Sequence, residues 1–309
     1  MIAINTQQQT LRMTPTPQPS PVPSLRALGG LKLVICTLLL AACATGSGGR
    51  GSKLALVIGN SAYENATPLA NPVNDAADMC AALKKVGFKT LCYTNVRDRL
   101  EFDTRVKEYT SQLDANSVGV FYYSGHGVQA GNANFLIPTQ VQPTAATADP
   151  TRVLYAVDEL FGRLGQQPTR FQLVILDACR TDLFAPPPRQ STRSMLIRSL
   201  ETVARASNGL QPIKDAPAGT MVLYATASRD TAFDGEGRNG PLTKHILEHI
   251  GTKGVFVEEF IKRVTRGVEQ ETLKDYRKRQ TPFIYGSFSG RFCFAGCPGD
   301  NDIPVLPSF

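Results

Sequence analysis

Two runs of β-favouring residues, Val118 to Tyr123 (VGVFYY) and Phe171 to Leu176 (FQLVIL), each stop abruptly in residues that carry chemistry. Ser124-Gly125-His126-Gly127 follows the first, and Asp177-Ala178-Cys179-Arg180 follows the second. Near-continuous apolar runs of this length predict strands buried on both faces. Such strands belong to parallel sheets covered by helices, in which sites form beyond the carboxyl ends. A thiol and an imidazole are therefore expected at one edge of one sheet.

The remainder of the chain supplies the other layers. A first strand is expected at Leu54 to Ile58, breaking at Gly59-Asn60. Asn71 to Val86 (NPVNDAADMCAALKKV) predicts an amphipathic helix: Pro72 takes the first helical position, and Val73, Ala76, Ala77, Cys80 and Leu83 form one stripe. Gly87 ends it, FKTLCYT supplies a second strand, and residues 98–113 a second helix with Phe102, Val106, Tyr109 and Leu113 inward. FLIPTQV reads as a short extended piece after the histidine, and Val157 to Leu164 as a third helix. Ala185 to Ala218, with three consecutive prolines, reads as a mobile loop. Met221 to Thr226 is a further strand, Pro241 to Ile250 and Phe256 to Glu271 are helices, and a last strand is expected at Ser287 to Phe294. Strand and helix alternate, so the expected class is α/β, with a mostly parallel sheet covered on both faces and right-handed crossovers.

The first fifty residues do not share this pattern. TPTPQPSPVP is proline-rich, and the apolar run Leu31 to Ala42 is too short to span a bilayer but suits a signal-peptide core. It closes on Leu40-Ala41-Ala42-Cys43, which resembles the lipobox of bacterial lipoproteins; the resemblance implies cleavage before Cys43, lipid on its thiol, and a lipid-anchored place in a bacterial cell envelope. Ala44 in the next position suits outer-membrane sorting, and Met13 offers an alternative start. The expected organisation is a leader over 1–43, a glycine/serine linker over 44–52, a domain over 53–294 and a tail over 295–309.

Cleavage before Cys43 leaves Cys80, Cys92, Cys179, Cys293 and Cys297. An odd set in an oxidising compartment leaves one thiol over. Spacing allows Cys293 to pair with Cys297, and Cys80, on a helix, with Cys92 on the next strand; Cys179 is then the one remaining. Zinc is not expected, since of three histidines His245 and His249 sit one turn apart on a structural helix. No spaced acidic loop for calcium is present, and no other cofactor is implied. The net charge of +7 does not point to nucleic acid, because the basic residues are scattered and the densest group, Lys274 to Arg279, reads as a solvated turn.

At a strand end, a cysteine thiolate paired with an imidazole is a nucleophile with its proton acceptor. The glycines around His126 allow close approach, and the amides of Gly127 and Cys179 are candidates to hold an oxyanion.

VIGNSAY, NPVNDA, FYYSGHG, FLIP, VILDACR, YATA and NGPLTKHIL occur in the order found in the caspase superfamily, and they reach across most of residues 53–294. The separation of His126 from Cys179 is close to the interval of about 50 between the caspase histidine and cysteine. The chain most resembles the bacterial caspase-like proteins and paracaspases, whose cysteine is followed by arginine; metacaspases place serine before the cysteine and histidine after it, where this chain has Ala178 and Arg180. The resemblance implies a three-layer α/β/α sandwich on a six-stranded, mostly parallel sheet, with Cys179 as nucleophile and His126 as base. It also implies an endopeptidase that cleaves polypeptides after arginine or lysine, because Asp75, Asp177 and Asp234 fall on the acidic pocket positions of the paracaspases. Arg229 stands against that pocket, since aspartate-specific caspases hold their substrate with arginines. The segment 185–218 corresponds to the region where caspases are cut between large and small portions. A catalytically silent, lipid-anchored scaffold binding basic peptides is the alternative, and homodimerisation through the last strand is left open.

Overall fold

The computed structural model describes residues 51–130, 133–142, 149–179, 216–226, 232–233, 235–286 and 288–299. The leader with Cys43, Arg229, Asp234, most of the 185–218 segment and most of the tail lie outside the described residues.

Six strands form the main sheet in the order β2-β1-β3-β6-β7-β8: β1 Lys53–Gly59, β2 Lys89–Thr94, β3 Val118–Ala130, β6 Phe171–Cys179, β7 Thr220–Tyr224 and β8 Phe283–Gly286. The first five are parallel to their neighbours, and β8 runs antiparallel to β7 at the edge. Beyond the main sheet, β4 (Ala133–Leu136) folds back antiparallel on the end of β3 and pairs in turn with the two-residue β5, Tyr155–Ala156.

Strand alternation sends neighbouring side chains to opposite faces, and each face meets its own helices. Ala55 and Val57 join Val120, Leu173 and Leu223 in one core, under α1 (Pro72–Lys85), α5 (Pro241–His249) and α6 (Val257–Tyr276). Leu54, Leu56 and Ile58 join Phe121, Val174 and Tyr224 in the other, under α2 (Arg99–Thr110) and α4 (Val157–Gly165). A one-turn helix, α3 (Pro150–Val153), precedes β5. Each fully buried aliphatic or aromatic side chain contributes about 1.5–3 kcal/mol, which is why the strands tolerate no polar alternation. The result is the expected three-layer α/β/α sandwich.

Three expectations change. On α1 the buried stripe is Pro72, Asp75, Ala76, Met79 and Leu83, and Ala77 is exposed. Helical periodicity located the turn but not the rotation, because the stripe, made of apolar and cysteine positions, leaves out the buried Asp75. The last strand is Phe283–Gly286, not Ser287 to Phe294. Phe288, Phe292 and Phe294 alternate like strand residues, but they turn inward as an aromatic cluster on Phe171 and Phe88. Finally, α6 runs on to Tyr276 and is capped by Arg277 in the left-handed region, so the Lys274 to Arg279 group begins as an exposed helix end.

Disulfides join Cys80 of α1 to Cys92 of β2, and Cys293 to Cys297. His245 is held between Glu248 and Glu271, at 2.7 and 2.8 Å, a structural place between α5 and α6. Among the described residues no helix is long and apolar enough to cross a membrane.

Candidate active site

Parallel pairing of β3 and β6 runs from Val118 opposite Phe171 to His126 opposite Cys179. The backbones of histidine and cysteine thus occupy one register position on adjacent strands, about 4.8 Å apart, at the carboxyl edge. The equal reach of the two apolar runs produces this: His126 follows Tyr123, and Cys179 follows Leu176, by the same three residues.

His126 is fixed from several sides. Its backbone N–H donates to the Tyr63 hydroxyl at 2.8 Å, and its carbonyl accepts from Tyr123 Oη at 2.8 Å and from the Ile137 N–H at 3.1 Å. The Tyr63 ring lies 4.5 Å from the imidazole, which is 8 % exposed. Nε2 stands 2.8 Å from the Thr67 carbonyl. A carbonyl only accepts, so Nε2 carries a hydrogen, and Nδ1 is the ring nitrogen left to exchange a proton. Because Ile137 bonds to His126, Gly127 opposite Leu136 belongs to a non-bonded pair, and its N–H faces away from β4.

Gly125, with φ of +155°, packs against tyrosine hydroxyls: a Cβ there would meet Tyr63 Oη at 2.6 Å and Tyr123 Oη at 2.7 Å. Asn60, fully buried at the end of β1, braces the same rim by donating to the Ile137 carbonyl and accepting from Val96 N–H.

Beside this rim a narrow cleft opens, lined among others by Asn71, Asp75, Ser124, Gly125, Asp177 and Gly240. Asp75 is 2 % exposed. It accepts from Ser124 Oγ, Asn239 Nδ2 and the Gly240 N–H, each at 3.1 Å. All three donors are neutral. Burial, and next the charge of Asp177, push its carboxyl up to about 7, against the lowering pull of those bonds. Asp177 accepts from Thr243 Oγ1 at 2.6 Å; since that hydroxyl donates to the carboxylate, it accepts from Tyr122 Oη at 2.5 Å. At the cleft margin, Arg238 pairs with Asp78 at 2.8 Å, and Asn239 bridges Asp75 and Asp78.

Asp75 and Asp177, distant in sequence, are thus brought together next to the His126–Cys179 edge. Ala232 and Phe233 line the same cleft, while Asp234 itself lies outside the described residues. Sequence reading missed Tyr63, Thr67, Ser124, Asn239 and Thr243. Four of these stand inside the quoted motifs VIGNSAY, FYYSGHG and NGPLTKHIL, with Asn239 and Thr243 sharing the last, so the motifs held the signal without the roles. Among the described residues no three His, Cys, Asp or Glu side chains gather as metal ligands.

A mostly parallel six-stranded sheet between two helical layers, with loops and a reversed hairpin crowding one carboxyl edge, defines a caspase-like α/β protein. The chain belongs to the caspase superfamily of cysteine peptidases: the family model of the caspase domain matches residues 52–293. It is similar to the human mucosa-associated lymphoid tissue lymphoma translocation protein 1, 27 % identical over 130 residues, and to its mouse homologue, 26 % over 128. Each match takes in 41 % of this chain but only 15 % of the relative's length. In fold it is similar to caspase-1 of Spodoptera frugiperda, with TM-score 0.52 and 11 % identity, covering 81 % of this chain and 92 % of that one. Protein GSU0716 of Geobacter sulfurreducens is also similar, with TM-score 0.57 and 18 % identity, covering 80 % and 99 %.

Proposed function

We propose that the protein is a cysteine endopeptidase that cleaves polypeptides after arginine, and less readily after lysine. Cys179 as thiolate attacks the scissile carbonyl carbon, and His126, through Nδ1, holds the thiol proton and passes it to the leaving amine. The amides of Gly127 and Cys179 stabilise the oxyanion. Water, deprotonated by the same imidazole, then hydrolyses the thioester and frees the carboxyl product and the thiol.

The observation that carries the arginine preference is the pairing of Asp75 and Asp177 in one cleft beside the His126–Cys179 edge. Two carboxylates sharing a site raise each other's cost of ionisation, and a guanidinium between them removes that cost through charge-assisted hydrogen bonds. Its planar fork suits two acceptors better than a lysine ammonium does. Asp234, two residues beyond Ala232 in the cleft wall, is the third acid of this reading. Fluorogenic peptides ending in arginine, lysine and aspartate test it: hydrolysis in the order arginine, lysine, aspartate is expected, and cleavage of the aspartate peptide alone overturns the pocket.

The same proposal gives the mature protein a lipid on Cys43 and a place on the cell envelope, supported by Leu40-Ala41-Ala42-Cys43 at the end of the apolar run. Intact-mass analysis of protein from membranes is expected to show an acylated N-terminal cysteine; an unmodified chain starting elsewhere contradicts it.

A further inference from the structure

At the opposite end of the sheet lies a second, larger cleft of about 710 Å³. The first residues of β1 and β3, the end of α1, the turn after α5 and the loop closed by Cys293–Cys297 form its walls. Val118 in its wall and His126 at the active edge are separated by β3, about 26 Å at the rise of a strand.

Lys53, Lys85, Arg170, Lys253 and Arg291 all line it, and among the described residues no carboxylate does. Elsewhere, many cations are neutralised locally: Arg99 by Glu159, Arg163 by Asp103, Lys244 by Glu271. Lys85, Lys253 and Arg291 are exposed and enter no ion pair among the described residues. Like charges gathered in one concavity raise the potential there and attract anions. Two of the charges are also held in place. Lys53 Nζ donates to the carbonyls of Val86 and Phe294 and stands 5.5 Å from the Phe88 ring centroid, and Arg170 donates to the Arg291 carbonyl.

We propose that this cleft binds clustered phosphate groups. Several cations spread across one wide opening match several anionic groups better than a single carboxylate. Clustered phosphates occur on an anionic phospholipid surface and on soluble polyphosphates. The chain favours the lipid source: Gly51, in the cleft wall, follows Cys43 by eight residues of mostly glycine and serine, about 27 Å at full extension. With Cys43 acylated, the basic cleft stays within that distance of the bilayer, where each Lys or Arg near an anionic surface adds to binding. The choice of source rests on the lipid anchor; the phosphate site itself does not.

Purified full-length protein is mixed with phosphatidylglycerol/phosphatidylcholine vesicles and with pure phosphatidylcholine vesicles, beside the triple variant Lys85→Glu/Lys253→Glu/Arg291→Glu. The leader is common to both proteins, so its own partitioning cancels in the comparison. Wild type is expected to prefer the anionic vesicles, and the triple variant to lose that preference by about tenfold or more. A parallel arm follows thermal stability with sodium tripolyphosphate. Stabilisation of wild type but not the variant, without vesicle preference, keeps the phosphate site and overturns the lipid source. Equal behaviour of the two proteins in both arms overturns the site. Hydrolysis of arginine peptides by the variant is expected to match wild type, which separates failure here from failure of the peptidase reading.

Discussion

Asp75 ties stability to pH and, in the proposed pocket, to substrate choice. Its carboxyl, ordinary at 3.8, rises to about 7 in the fold, so between those values the folded state binds more protons than the unfolded state. Stability from this group therefore falls as pH rises through that window, by on the order of 2–4 kcal/mol. Urea unfolding of wild type at pH 5 and pH 8 is expected to show this loss, and Asp75→Asn to flatten it. The same substitution removes one charge from the cleft and is expected to lower kcat/KM for arginine peptides on the order of 100-fold, leaving hydrolysis of the thioester intermediate unchanged. A mutant with unaltered kcat/KM takes Asp75 out of the pocket. Sequence displayed Asp75, Asp177 and Asp234 as residues, but not the neutral donors around them. Ser124, Asn239 and Thr243 reach the acids from strands and helices far away in the chain, a relation that no local pattern encodes.

At the scale of elements, the strands were legible because they are buried on both faces, and a continuous apolar run leaves little choice of structure. Helix starts were legible from Pro72 and Pro241, each at the first turn. The rotation of α1 was not, because the buried position of Asp75 is set by the cleft rather than by apolar periodicity. Nor was the final strand, where three phenylalanines in alternation served an aromatic cluster instead of a ladder. Two elements carry tests. Strand β3 at Gly125 has no room for a methyl group between Tyr63 and Tyr123, so Gly125→Ala is expected to cost about 1–3 kcal/mol and to lower kcat by displacing His126. A substitution that alters neither stability nor kcat contradicts the clamp. The Cys80–Cys92 bridge closes a span of 12 residues between α1 and β2. Replacing both cysteines with alanine is expected to cost about 3 kcal/mol, read as a lower urea midpoint, and no shift in that midpoint contradicts a stabilising bridge.

Across the whole molecule, the sheet separates two chemistries. Its carboxyl edge carries the His126–Cys179 register and a cleft with two acids; its amino edge carries a cleft whose charged residues, among the described residues, are cations. Parallel strands make such a division natural, since every strand delivers its final residues to one edge and its first residues to the other. The polarity also keeps the five cations of the amino-edge cleft remote from Asp75 and Asp177. The central claim is that the thiol at the carboxyl edge is a nucleophile addressed by arginine. Incubation with an arginyl chloromethyl ketone, followed by intact-mass and peptide analysis of wild type and Cys179→Ala, tests it directly. One stoichiometric adduct on Cys179, absent from the variant and slowed by arginine peptides, is the predicted result; no adduct, or an equal adduct on the Cys179→Ala protein, contradicts it.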